Sequence, residues 1–242
     1  MQGKKKCRLN IVCFIMAIMA VVVLLLLGGF LIYTQDYYRA DDSVISMIED
    51  NDGQIQKKQD MILFYPENTD DMKSALIFYP GGKVEASAYA PLCETISQKG
   101  ILCIILRMPF RLAVFDINAA DQVYEQFPEI ENWYLGGHSL GGAMASSYAN
   151  KHTELIKGLI LLGAYPTESM KIPTVALYGS EDKVLDRTKL SIVDNAIQIS
   201  GGNHAYFGNY GEQKGDGTAT ISREEQQSIA SEEIVKFVME QE

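Results

Sequence analysis

The sequence predicts a doubly wound, mostly parallel α/β sheet preceded by one N-terminal transmembrane helix. Three observations predict it. Residues 9–33 carry no charge and are dominated by Ile, Val, Leu, Met and Ala. From residue 60 onward, short apolar runs alternate with helical patterns, the order that builds strands joined by crossover helices. Residues 101–106 are apolar at every position, as a strand buried on both faces of a parallel sheet must be. At 242 residues and 47% hydrophobic content, the chain can form one large α/β domain or two small ones, with a sizeable core.

The elements follow in order. Residues 1–8 are a basic cytoplasmic flank, with Lys4, Lys5, Lys6 and Arg8 and no acid. Residues 9–33 would form a helix of about 37 Å, enough to cross a hydrocarbon layer of about 30 Å with tilt. The rival is a cleaved signal peptide, whose apolar region is shorter, roughly 7–15 residues, and ends at a small-residue cleavage site. Residues 28–33 offer no such site, and Cys13 lacks the small residue before it that a lipoprotein signal requires. The reading is therefore an uncleaved anchor. Basic residues before the span, and the mixed charges Asp36, Arg39, Asp41 and Asp42 after it, put the N-terminus in the cytoplasm and the body outside.

Residues 34–59 are polar and acidic, with a helix-like segment at 43–48, and read as a stalk or a domain edge. The main domain is expected over 60–242. Its strands fall at 61–65, 75–79, 101–106, 133–135, 159–162, 174–178 and 196–199, and its helices at 87–98, 118–127, 140–151 and 187–193. Ser222 and Glu225 form a capping-box pattern that starts a last helix over 223–239.

Charge and cysteine content narrow the function. The chain nets −10, and because four of its 21 cations lie in the first eight residues, the remainder nets −14. Nucleic acid is not expected as a partner of so acidic a body. No metal or cofactor is expected: no Cys/His cluster has ligand spacing, and Gly215-Asp216-Gly217 is a turn too small to be a calcium site. Cys7, beside the anchor, is available for acylation on the cytoplasmic side, and Cys13 enters the span. Cys93 in a helix pattern and Cys103 in a buried strand read as core thiols rather than a disulfide.

The chemistry centres on residues 133–142, where an apolar run ends in glycines and a helical pattern begins at once. Gly137-His138-Ser139-Leu140-Gly141 fits G-x-S-x-G, the nucleophile elbow that holds a serine on a sharp strand-to-helix turn. Small neighbours are required because the backbone passes close on both sides of the serine. The helix that follows aims its first N–H groups at the place where an oxyanion would form.

On this motif and its setting, the chain resembles the α/β-hydrolase fold family over nearly all of residues 60–242. The resemblance implies a triad in the chain order Ser, Asp/Glu, His. Of three histidines, His138 adjoins the serine and leaves the elbow in another direction. His152 lies at the tail of the elbow helix, so His204, in the loop after the last strand, is the expected base. The acid should follow the preceding strand, where Glu181 and Asp182 compete and Asp182 matches the family's G-x-x-D pattern. The oxyanion hole should use the N–H of Leu140 and one from the loop after 75–79, with Gly82 first and Lys83 next. The family often carries His-Gly at this place, and Pro80-Gly81 stands here instead.

Within the family the chain is similar to small bacterial hydrolases of the dienelactone-hydrolase-like branch. True dienelactone hydrolases use a cysteine nucleophile, so with Ser139 their lactone substrate is not carried over. Only nine residues separate Leu162 from Ile172, too few for a lid. The site should be open, bordered by Met108, Phe110, Tyr165, Tyr206 and Phe207, which read equally well as packing residues. The implied function is a membrane-anchored serine hydrolase acting on a small-molecule acyl substrate outside the cytoplasm. A non-catalytic binding protein on the same scaffold, and an acyltransferase or peptidase on the same triad, are the competing readings.

Overall fold

The computed structural model describes residues 2–50, 53–69 and 72–241, with side chains described from residue 13 onward. The chain forms two units, Met1–Tyr37 and Tyr38–Glu242. The first is one helix, α1 (Gln2–Gln35). Its segment Cys13–Gln35 has a mean hydropathy of 3.0, long and apolar enough for a membrane span or a secretory leader. Side chains such as Leu25 and Leu26 stand about 70% exposed, an arrangement that water penalises and lipid does not. The side chains of Lys4, Lys5, Lys6, Cys7 and Arg8 lie outside those described.

The second unit opens with α2 (Asp42–Glu49) and β1 (Ile55–Lys57). Ala40, Val44, Ile48 and Ile55 are buried in its core, so this polar, acidic stretch packs along the domain through one residue in every few. β2 (Met61–Phe64), β3 (Ser74–Tyr79), α3 (Ala90–Ser97) and β4 (Leu102–Leu106) follow. A 3-10 turn at Ala86–Tyr89 leads into α3, which carries Pro91 in its first turn, where its missing N–H costs nothing. Next come α4 (Asp121–Tyr124), β5 (Asn132–His138), α5 (Leu140–Ala149), β6 (Ile156–Leu162) and β7 (Thr174–Gly179). β8 (Asn195–Ile199) and α6 (Arg223–Gln241) complete the chain. Ser222 Oγ accepts from Glu225 N–H at 3.0 Å, as the capping pattern predicts.

Two expectations need correction. β1 was not expected: it is a three-residue edge strand with only Ile55 buried, too short to show alternation. The helix expected over 118–127 is a single turn. Tyr79 Oη donates to Ile117 O and accepts from Ala120 N–H, holding the start of that segment in turns, and Pro128 disfavours helical backbone at Phe127.

The eight strands lie in the order β1-β2-β4-β3-β5-β6-β7-β8. β1 and β2 run antiparallel to their neighbours, and every pair from β4 to β8 is parallel. Alternation sorts the core into two layers. Leu76 and Phe78 face Leu92 and Ile96 of α3 and Ile234 of α6, while Ala75, Ile77 and Tyr79 face Ala145 and Tyr148 of α5. Burying each large apolar side chain contributes roughly 1.5–3 kcal/mol. The parallel strands end along one edge of the sheet, so the segments after β3, β5, β6, β7 and β8 come together there.

Candidate active site

Ser139 sits between β5 and α5 with φ 51° and ψ −122°, a left-handed conformation that costs a non-glycine residue about 1–3 kcal/mol. The turn is held by Ser139 N–H donating to Leu162 O at 3.0 Å. Two glycines make it possible. A Cβ on Gly137 would stand 2.6 Å from the Gly141 carbonyl carbon, and one on Gly141 would overlap the Tyr79 and Pro80 carbonyl oxygens. Leu140 N–H lies in the first turn of α5, where the helical ladder supplies no acceptor.

The loop after β3 runs against the elbow. A Cβ on Gly82 would stand 2.9 Å from Leu140 Cδ2, so the loop backbone lies directly on the first residue of α5. Lys83 N–H donates to Arg111 O at 2.8 Å, and Gly81 N–H donates to Tyr89 Oη at 3.0 Å. Gly82 N–H is the donor of this turn with no partner among the described residues.

His204 and Asp182 meet as a buried pair. His204 Nδ1 lies 2.8 Å from Asp182 Oδ2, with side chains 1% and 0% exposed. The other carboxylate oxygen, Oδ1, accepts from Val184 N–H and Leu185 N–H, each at 2.8 Å. The carboxylate is thus fully acceptor-bonded, the condition under which a buried charge is tolerated. Glu181 points elsewhere and accepts from Ser180 Oγ at 2.9 Å. His204 Nε2 is buried and has no hydrogen-bond partner among the described residues, Ser139 Oγ included.

Residues that the sequence reading passed over hold these groups in place. Gly163, with φ 51°, follows β6 beneath His204: a Cβ there would stand 2.9 Å from His204 Nδ1. Gln226 of α6 grips the backbone of Asn203 in both directions, accepting from its N–H at 2.9 Å and donating to its carbonyl at 2.8 Å. Asp216 accepts from Ala205 N–H at 2.9 Å. The Arg187 guanidinium donates to the carbonyls of Gly179 and Asp182, bracing the turn at residues 179–182. None has a local sequence signal, because each partner is distant in the chain or on the backbone.

His138 is fully buried. Its Nδ1 lies 2.8 Å from Tyr89 Oη, and its Nε2 lies 3.0 Å from the His204 carbonyl oxygen. Burial first, and the neighbouring His204 second, hold its imidazole well below the ordinary histidine range. Burial pushes the Tyr89 phenol up, so it keeps its proton. His152 stacks on Tyr148, with ring centroids 4.0 Å apart, at the far end of α5.

The expected border residues divide. Met108 and Phe110 line a cleft of about 270 Å³ with Pro80 and Val84 of the loop after β3. Tyr165 is tied to Lys189 Nζ at 3.1 Å, and Tyr206 lies under the Arg223 guanidinium. Phe207 is a packing residue: it is fully buried, with its ring 5.8 Å from that of His138. Among the cysteines with described side chains, Cys13 is exposed, Cys93 and Cys103 are buried, and all three are free.

Several solved structures are similar in fold. Est1E from Butyrivibrio proteoclasticus is 14% identical, with 77% of this chain and 97% of that one covered and a TM-score of 0.56. A dienelactone hydrolase from Anabaena variabilis is 14% identical over 77% of this chain and 98% of its own, with a TM-score of 0.55. TT1662 from Thermus thermophilus is 12% identical over 77% and 97%, with a TM-score of 0.57. No curated protein matches the sequence. A model of the alpha/beta hydrolase family matches residues 75–228, well over half of the chain, and with an elbow, a sheet order and an edge of loops in keeping with it, the chain belongs to the alpha/beta hydrolase family.

Proposed function

We propose that the protein is a membrane-anchored serine hydrolase that cleaves an ester or related acyl bond through an acyl-enzyme on Ser139. The observation that carries this reading is the buried His204–Asp182 pair, whose free Nε2 belongs to a loop packed against the residue before the serine. In the first half-reaction Ser139 Oγ attacks the substrate carbonyl and its proton passes to His204 Nε2. Asp182 holds the ring with its proton on Nδ1 and offsets the charge of the imidazolium. The reaction needs the serine hydroxyl to turn toward Nε2, a step that apo hydrolytic sites commonly leave to the substrate complex.

The tetrahedral oxyanion would lie between Leu140 N–H at the start of α5 and Gly82 N–H. Gly82 is favoured over Lys83 because the Lys83 donor is already engaged with Arg111. Each such donor is worth roughly 10²–10³ in kcat. The leaving group then takes the proton from His204, and water, activated by the same base, releases the acyl group. An acceptor other than water would make the same site an acyltransferase.

For localisation, the apolar segment Cys13–Gln35 supports a single-pass anchor, and the basic residues ahead of it support an N-in orientation with the catalytic unit outside. The direct test is labelling of the full chain in detergent with a fluorophosphonate. Wild type should label and Ser139→Ala should not. A wild type that is folded, unlabelled and inactive on short activated esters overturns the proposal.

A further inference from the structure

We infer that His138 is a positioning residue that ties the oxyanion loop to the loop carrying the base through one unbroken chain of hydrogen bonds. The inference rests on the serine-hydrolase reading above. The direction of each bond follows from its atoms. The His204 carbonyl oxygen can only accept, so His138 Nε2, at 3.0 Å, carries the proton. In the neutral ring Nδ1 then accepts, and its neighbour at 2.8 Å is the Tyr89 hydroxyl, which donates. That same hydroxyl accepts from Gly81 N–H at 3.0 Å. Every donor finds one acceptor in a single arrangement, which fixes the His138 tautomer.

A buried histidine is usually explained by packing, yet the two ends of this chain favour more. One end is the backbone of Gly81, next to Gly82, the assigned oxyanion donor. The other is the backbone carbonyl of the base itself. Nothing separates the loop from the relay, since a Cβ on Gly81 would stand 2.7 Å from both His138 Nδ1 and Tyr89 Oη. An apolar side chain of similar shape would fill the space without burying polar atoms that need partners. The relay is also uncharged. Its ring centroid lies 4.5 Å from that of His204, so no fixed cation opposes the imidazolium that forms there in the reaction.

The two arms of the relay can be cut separately. Tyr89→Phe keeps the ring and removes the link to Gly81. His138→Asn keeps an acceptor near the position of Nδ1 but is too short to reach the His204 carbonyl, whereas His138→Gln restores a donor at that reach. Wild type, Ser139→Ala and these variants are assayed as the full chain in detergent, on the p-nitrophenyl and ethyl esters of one short acid. Rates are expressed per site titrated by fluorophosphonate, and for Ser139→Ala per mole of folded protein.

Tyr89→Phe should lower kcat about tenfold on both esters with KM nearly unchanged, because both reactions need the oxyanion hole. His138→Asn should slow the ethyl ester about tenfold more than the p-nitrophenyl ester, because only ethoxide needs a proton from His204 to leave. His138→Gln should remove that difference. Per-site rates in Tyr89→Phe and His138→Asn that stay at wild type on both esters make His138 a packing residue and overturn the inference, as does an equal loss on both esters in His138→Asn that His138→Gln does not relieve. A folded wild type without activity, or an active Ser139→Ala, defeats the hydrolase reading itself and this inference with it.

Discussion

Asp182→Asn separates the assigned acid from its neighbour and tests how the base is held. Asp182 Oδ1 accepts two backbone N–H groups at 2.8 Å, and Oδ2 accepts from His204 Nδ1 at the same distance. An asparagine keeps the two backbone bonds only if its oxygen stays at the Oδ1 position. Its NH₂ then faces His204 Nδ1, which must become an acceptor. The ring proton moves to Nε2, the atom that has to receive the serine proton. Reversing the amide would point NH₂ at two N–H donors and lose two hydrogen bonds, each worth about 0.5–1.5 kcal/mol, so the wrong tautomer wins. By analogy with other triads the cost is up to about 10⁴ in kcat, or roughly 5.4 kcal/mol of transition-state stabilisation. Glu181→Gln keeps an oxygen for Ser180 Oγ and should change kcat by no more than about twofold. Both variants are assayed on one activated ester, with circular dichroism to check folding. An Asp182→Asn enzyme within tenfold of wild type, or a crippled Glu181→Gln, refutes the tautomer argument and the acid assignment.

Gly82→Ala places a methyl group 2.9 Å from Leu140 Cδ2 and should lower kcat by shifting the loop backbone or Leu140, whereas Lys83→Ala, which leaves the backbone N–H in place, should have little effect; steady-state kinetics of both test whether the backbone of this loop, rather than the Lys83 side chain, serves the site. β6 and β7 are joined by a short segment, so rates on soluble short-chain esters should rise smoothly through the solubility limit, and a jump there would assign a covering role to residues 205–220. A reporter active only outside the cytoplasm, fused after Glu242, should be active, and N-terminal sequencing should find no mature chain beginning beyond Tyr33.

Much of this architecture was legible in the sequence because it is local. Strands buried on both faces appear as apolar runs such as 102–106, and the elbow announces itself through the glycines that its close approaches require. The physical basis of the choice between Glu181 and Asp182 is not local. The family's G-x-x-D pattern favours Asp182, but the two side chains diverge from one turn, and it is the contact of Asp182 with His204 across the site that physically separates them. Gln226, Asp216 and Arg187 were missed for a related reason: all three act on backbone atoms of other segments, which leave no trace in residue type. The sequence sends His138 away from the elbow in another direction than the serine, which excludes it as the base. It does leave that way, toward Tyr89 and the His204 carbonyl, and its neighbours there come from three separate stretches of chain.

The grip of Gln226 on Asn203 also sets a timetable for synthesis. Ser139 and Asp182 are made before His204, and α6, whose Gln226 grips the backbone next to His204, is made after it. A growing chain therefore carries Ser139 before the loop of His204 is held in place by α6. On the hydrolase reading, nascent chains stay chemically silent until α6 has been made and has docked against the loop that carries His204.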